Sequence, residues 1–123
     1  MSHTTTILLV GGKNDTREIA GLLSREGYKI ELEHETRMAY EVAKKMRPDA
    51  IAILVPQYWS SVGFLIQDIR NDEAIKNTTI YYMGELIEGG DLKILRAQDV
   101  RIISVGPVPF TEVVRQITAE LPH

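Results

Sequence analysis

The feature that most limits how this chain can fold is a regular alternation of short apolar runs with longer segments of helical periodicity. Five runs have the length and β-rich composition of strands, and the most hydrophobic of them spans residues 50–55. A helix-length segment follows each run, as in chains that build a parallel sheet through right-handed crossovers. The pattern predicts a doubly wound α/β fold, with helices on both faces of a five-stranded parallel sheet.

The order of the strands follows from how polar each run is. The predicted strands are residues 6–10, 29–33, 50–55, 79–83 and 101–105. The third run is apolar throughout and belongs at the centre of the sheet, whereas the second alternates with charged residues and belongs at an edge. Both placements fit the strand order 2-1-3-4-5, the flavodoxin-like form of this class.

Helix ends are predicted from the residues that commonly cap helices. Asp15, Thr36 and Thr111 are predicted N-caps, and Gly27 is predicted to end the first helix in a left-handed conformation. A third helix is predicted from the apolar residues Phe64, Leu65 and Ile69, and a fourth covers residues 91–98.

Composition excludes several classes of protein. The 123 residues suffice for one domain, which we expect to span residues 1–123. A net charge of −3, with Lys and Arg spread along the chain, argues against a nucleic-acid binder. The absence of cysteine excludes disulfides, thiolate zinc sites and iron–sulfur clusters. No apolar run is long enough to cross a membrane and no leader opens the chain, so we expect a cytoplasmic protein.

Several short motifs occur in a fixed order along nearly the whole chain. They are ILLV at 7–10, RE at 17–18, REGY at 25–28, RPDA at 47–50, GF at 63–64, IRND at 69–72 and the proline at 107. Taken together, these motifs resemble the receiver domain of bacterial response regulators, the CheY-like family. The resemblance implies a role in two-component or phosphorelay signal transduction.

The resemblance also shows what the chain lacks. In that family a histidine kinase phosphorylates an aspartate, with three carboxylates that hold magnesium, a hydroxyl and a lysine around the acceptor. The acceptor position is Leu54, or Val55 if a one-residue ambiguity in the following loop is placed earlier. All the matching positions lack the required groups: Gly11, Gly12, Leu54, Gly84 and Gly106. We therefore expect a pseudo-receiver that keeps the fold without the activity, binds no Mg²⁺ or other cofactor, and is not an enzyme.

Other polar residues do not replace the missing ones. Asp49 enters the third strand from the opposite end, where we expect it to satisfy backbone donors. Asp15 lies closer but is explained as a helix cap. Glu85 follows the fourth strand, either as a mimic of a bound anion or as a solvated loop residue. His34 stands alone, and a metal site needs several converging ligands.

Two segments are candidates for binding a protein partner. The loop after the third strand carries Tyr58 and Trp59, and the Trp59 ring is either a binding anchor or a cover over the uncharged pocket. Arg101, Glu112 and Arg115 lie on the last strand and helix, which the resemblance implies as a surface for partners or dimers. The leading hypothesis is a phosphorylation-independent interaction module whose partner is another signalling protein or a second copy of the chain.

Two other functions stay open. A small-molecule sensor would use the apolar recess among Leu54, Gly84 and Gly106. An enzyme of the wider flavodoxin-like class would need a convergent catalytic set, and none is visible in the sequence. The chain is either a stand-alone domain or part of a larger regulator or kinase.

Overall fold

Strands and helices alternate along the chain. A computed structural model describes residues 4–54, 59–84, 90–104 and 109–122, without the side chains of 59–61, 90–92 and 104. The strands are β1 Thr6–Val10, β2 Lys29–Glu33, β3 Ala50–Leu54, β4 Thr79–Gly84 and β5 Val100–Ser104. The helices are α1 Lys13–Arg25, α2 Thr36–Met46, α3 Trp59–Asn71, α4 Gly90–Ala97 and α5 Phe110–Glu120.

The five strands form one sheet in the order β2-β1-β3-β4-β5, and each strand pairs in parallel with its neighbours. The predicted fold class and strand order are therefore confirmed. β3 is buried at every position, and β2 is the partly exposed edge strand, as their hydrophobicity predicts.

Helices cover both faces of the sheet because the inner strands are apolar on both sides. On one face, α1 and α5 pack against side chains that include Ile7, Leu9 and Tyr81. On the other face, α2, α3 and α4 pack against side chains that include Leu8 and Ile51. None of the helices in the described ranges combines the length and hydropathy that a membrane span requires.

The helix starts differ from the predicted caps. α1 begins at Lys13 after Gly12, so Asp15 lies in the first turn, where its carboxylate faces the positive end of the helix dipole. α2 includes Thr36 as its first residue, and α5 begins one residue before Thr111. Gly27 does adopt the predicted left-handed conformation, with φ of +96°.

Candidate functional site

Three of the five positions that the resemblance assigns to a phosphorylation site lie at the carboxyl edge of the sheet. Gly11 directly follows β1, Leu54 ends β3 and Gly84 ends β4. These strands are neighbours in the sheet, and parallel strands bring their carboxyl ends to one edge. Gly12 follows at the start of α1. Gly106 lies outside the described residues.

Gly11 lies so close to Leu54 that no side chain fits between them. An ideal Cβ on Gly11 would stand 2.9 Å from the Leu54 carbonyl oxygen, 3.1 Å from Leu54 Cβ and 3.0 Å from Thr16 Cγ2. The φ angle of +156° is also rarely adopted by residues with a side chain. A carboxylate at position 11 would therefore require the backbone of β3 or of the turn to move.

The next position is open instead. Gly12 is exposed, and a Cβ there would meet no atom within 4 Å. Its carbonyl oxygen accepts the N–H of Thr16 at 3.1 Å and the Thr16 hydroxyl at 2.7 Å. The buried Thr16 side chain thus holds the turn from inside the helix. The two positions that the resemblance assigns to the acidic pair therefore differ. Position 11 has no space for a side chain, whereas position 12 has open space around it.

His34 completes the contacts of Gly11. Its Nδ1 lies 3.0 Å from the Gly11 carbonyl oxygen. Because a carbonyl oxygen only accepts, the Nδ1–H of the ring donates this hydrogen bond. The Gly11 N–H donates to the Glu33 carbonyl oxygen at 3.0 Å. His34 follows β2 directly, and its bond to a backbone carbonyl agrees with a structural role. The rule that parallel strands end at one edge of a sheet points to this position beside β1.

Leu54, the position that the resemblance assigns to the acceptor, belongs to the apolar core. Leu54 is only 3% exposed and lies in the cluster beneath α1 and α5, which also contains Met83, Ile103 and Val113. Gly84 is buried and pairs with Ser104 of β5. An aspartate at position 54 would have to place its charge among aliphatic side chains, where no cation or donor is described to offset the cost of desolvation.

The structure does not bring a set of metal ligands together in the described residues. No group of three or more His, Asp or Glu side chains within the described ranges is arranged to hold a metal ion. A receiver fold implies magnesium at the carboxyl edge, but Gly11, Gly12 and Leu54 offer no carboxylate oxygen there. The residues present do not fit that ion.

Asp49 lies at the opposite edge of the sheet, as predicted. Its carboxylate accepts the backbone N–H of Thr6 at 2.8 Å, and the Thr6 hydroxyl lies 3.3 Å from the same oxygen. The Asp49 N–H in turn donates to the Thr6 carbonyl oxygen at 2.9 Å. Asp49 therefore joins the starts of β1 and β3, and its carboxylate does not reach the carboxyl edge.

The charged residues proposed on β5 and α5 are already paired within the chain. The Arg101 guanidinium contacts the Glu120 carboxylate, and Arg115 makes a two-pronged contact with Glu112, one part of which is a 2.8 Å bond from Nε to Oε2. The bond from Arg115 lowers the pKa of Glu112, and the Glu112 carboxylate raises the pKa of Arg115. These are surface pairs, and they offset the charges of Arg101 and Arg115 within the chain.

The candidate loop after β3 is only partly described. Tyr58 and Glu85 lie outside the described residues, and Trp59 is placed as the first residue of α3 without a described side chain. The two alternatives for Trp59, anchor or cover, stay predictions.

Comparison with solved structures supports the fold, whereas comparison of sequences finds no match. No protein-family model matches the sequence, and no curated protein sequence matches it. Many solved structures do match. The chemotaxis response regulator CheY4 of Vibrio cholerae superposes with a TM-score of 0.82 at 19% identity, over 97% of this chain and 100% of that one.

Two further solved structures also match over most of this chain. The receiver domain of a sensor histidine kinase from Pseudomonas aeruginosa, which holds a magnesium ion in its active-site cleft, matches at TM-score 0.72 and 21% identity over 95% of this chain and 97% of that one. A streptococcal redox sensor that evolved from two-component response regulators matches at TM-score 0.79 and 19% identity, over 94% of this chain and 50% of that one. This chain has the fold of CheY-like receiver domains.

Proposed function

We propose that this chain is a receiver-like domain of two-component signalling that works as a phosphorylation-independent protein-interaction module and not as an enzyme. The observation that supports this most directly is the contact between Gly11 and Leu54. It leaves no space for a carboxylate side chain at position 11, and the buried Leu54 is aliphatic at the position that the resemblance assigns to the acceptor aspartate. Phosphoryl transfer to a receiver needs both groups.

The same contact bears on how the domain would signal. In a competent receiver, clustered carboxylates repel one another until a bound cation offsets their repulsion. The carboxyl edge described here is filled by glycine and leucine instead, so no such repulsion arises at these positions. We infer that the domain presents one conformation to its partner, and that binding is controlled by the amount of each protein.

The partner surface is proposed on β5 and α5. Tyr58 and Trp59, just before and at the start of α3, are proposed as a second region. Arg101 and Arg115 each contact a carboxylate of the same chain, so a partner would meet paired charges at this surface. Charge pairs of this kind at an interface rim favour specificity more than affinity. The proposed partner is a protein, either another component of the pathway or a second copy of this chain.

Intact-mass spectrometry tests the central part of the proposal. The chain is incubated with acetyl phosphate and Mg²⁺ beside a phosphorylation-competent receiver as the control. We expect the control to gain one phosphoryl group and this chain to gain none. A phosphoryl group on this chain would mean that a carboxylate such as Glu85 or Asp15 is the acceptor, and the proposal would be wrong.

A further inference from the structure

Phe64 is an apolar side chain that the fold does not use. It projects from α3 with 67% of its surface exposed, more than Leu32, Met38 or Ile94, the other exposed large apolar residues of the described chain. Its neighbour Leu65 is buried in the core instead. Burial of an aromatic ring in a contact with another protein contributes strongly to affinity. Phe64 is therefore available for binding at no cost to the core.

A groove lies beside Phe64, between α2 and α3. Its volume is about 250 Å³, and its lining is mainly apolar. We define the α2–α3 groove by the residues that line it: Thr36, Arg37, Tyr40, Phe64, Leu65 and Asp68. The space admits an apolar side chain from a partner, with the Phe64 ring at one side.

Two contacts hold Tyr40, one of the residues that line the groove. The Tyr40 hydroxyl donates to the Asp72 carboxylate at 2.7 Å, which joins α2 to the residue that follows α3. The Lys44 ammonium lies 4.7 Å from the centre of the Tyr40 ring, a cation–π distance. Since the wall is held before a partner arrives, less conformational entropy is lost on binding.

Near the groove, the two basic side chains form ion pairs, but the carboxylate of Asp68 does not within the described residues. Arg37 pairs with Glu35 at 3.2 Å, and Lys44 pairs with Glu41 at 3.3 Å. In contrast, Asp68 makes no hydrogen bond or ion pair with any residue of the described chain. It stands one helical turn after Phe64, on the same side of α3. The groove thus presents an aromatic ring and, one helical turn away, a carboxylate that is not ion-paired within the described residues.

We propose that the α2–α3 groove docks an amphipathic helix of a partner protein. This helix would place an apolar side chain against Phe64 and Tyr40, and a Lys or Arg one turn away against Asp68. A second copy of this chain is a poorer occupant, because a symmetric contact here would bring two Asp68 carboxylates together. The proposal rests on the proposed interaction role and adds a surface separate from β5 and α5.

A pair of synthetic peptides tests the proposal on the full chain. Both are amphipathic helices of about 18 residues, five turns, with the same leucine stripe. One carries lysine beside the stripe and the other carries glutamate. We expect the lysine peptide to shift the amide resonances of Phe64, Leu65 and Asp68, with weaker or no effect from the glutamate peptide.

Matched variants distinguish binding in the groove from non-specific hydrophobic binding. Phe64→Ala and Asp68→Lys should each weaken the lysine peptide about tenfold, and Asp68→Lys should strengthen the glutamate peptide. Ile94→Ala removes another exposed apolar side chain, and Glu18→Lys makes the same change of charge on the opposite face of the sheet; neither should alter binding. All four positions are exposed, so the variants should fold.

The outcomes that overturn the proposal are specific. They are resonance shifts centred on α4 or α5, equal affinity for both peptides, or self-association of the unmodified chain that Phe64→Ala abolishes. None of these results affects the intact-mass test, so failure of the groove is distinguishable from failure of the proposed function.

Discussion

The Asp49 carboxylate accepts the backbone N–H of Thr6 at 2.8 Å, and this bond joins the starts of the adjacent strands β1 and β3. An ionised acceptor makes a stronger bond than a neutral one. The Arg-Pro-Asp segment before β3 is therefore a structural feature of this fold, independent of any chemistry at the other edge.

Removal of this carboxylate should destabilise the fold. We expect Asp49→Ala to lower the free energy of unfolding by about 1.5–3 kcal/mol, the range for a hydrogen bond to a charged group. Urea denaturation followed by circular dichroism measures the change. Asp15→Ala serves as the control and should have little effect, because Asp15 is exposed in the first turn of α1.

Aspartate substitutions at the two neighbouring glycines should have opposite effects. Gly11→Asp should lower the free energy of unfolding by about 2 kcal/mol or more, since its Cβ meets the Leu54 carbonyl and the backbone conformation disfavours a side chain. Gly12→Asp should be neutral or stabilise by a few tenths of a kcal/mol, roughly, as a new N-cap of α1. Thermal melts of the two variants decide this. Equal stability of the two would contradict the close contact of Gly11.

Restoring the acceptor residue alone should not restore a receiver. Leu54→Asp should cost about 3 kcal/mol or more, because a carboxylate replaces an aliphatic side chain in the core. Burial raises the pKa of such a carboxyl group, so the variant should lose stability as the pH rises. Added Mg²⁺ should not raise its melting temperature, and Leu54→Met, the volume-conserving control, should cost less than about 1.5 kcal/mol.

Arg70 joins three segments through backbone carbonyl oxygens. Its guanidinium donates to the carbonyl oxygens of Gln98 at 2.7 Å, Thr78 at 2.7 Å, Lys76 at 2.8 Å and Asp99 at 3.1 Å. Burial lowers the pKa of Arg70, but carbonyl oxygens from the turns before β4 and β5 surround the charge.

A lysine in place of Arg70 keeps the charge but cannot reach four acceptors with one ammonium group. We expect Arg70→Lys to lower the free energy of unfolding by about 1–3 kcal/mol. Arg96→Lys, on the exposed side of α4, is the matched control and should change little. A loss of equal size in both variants, measured by urea denaturation, would show that the carbonyl contacts of Arg70 contribute nothing.

Two buried tyrosines should respond differently to loss of the hydroxyl. The Tyr28 hydroxyl donates to the Leu121 carbonyl oxygen at 3.0 Å, whereas the buried Tyr81 hydroxyl has no hydrogen-bond partner in the described residues. Tyr28→Phe should therefore cost about 1 kcal/mol. Tyr81→Phe should be neutral or stabilising, since it removes an unsatisfied polar group. Calorimetry of both variants at neutral pH tests the difference.

The buried Tyr81 hydroxyl should also make the free energy of unfolding depend on pH. Burial, and next the nearby Glu120, raise the pKa of Tyr81 from 10.0 to about 12. The unfolded chain therefore loses this proton before the folded chain does, and the free energy of unfolding falls as the pH rises from 10 towards 12. Tyr81→Phe should make that fall shallower. An identical slope in the variant and the unmodified chain would contradict the assignment.

The strand pattern was readable from the sequence because it depends on burial that neighbouring residues share. The run that forms β3 is apolar at every position, and only a strand covered on both faces satisfies that composition. The place of Asp49 could be predicted for a similar reason, since its position before a strand already fixes the edge of the sheet at which it lies. These features follow from local order along the chain.

Other features depended on how separate elements meet. Phe64 and Leu65 are adjacent on α3 and equally apolar, yet Phe64 is exposed and Leu65 is buried, because neighbouring residues on a helix point about 100° apart. The residue at which a helix begins also differed from the predicted caps. Gly12, Glu35 and Pro109 hold the N-cap positions of α1, α2 and α5, and none of them makes a side-chain capping bond. His34 reaches Gly11 only because β1 and β2 are paired.

The carboxyl edge of the sheet distinguishes most clearly between what residue identity fixes and what tertiary contacts fix. The sequence by itself determined that Gly11, Gly12 and Leu54 carry no carboxylate, since that is a matter of residue identity. Only the tertiary structure decided that position 11 is closed and position 12 is open. The pairing of β1 with β3 and the backbone angle of Gly11 bring it against Leu54, while the start of α1 turns Gly12 towards solvent.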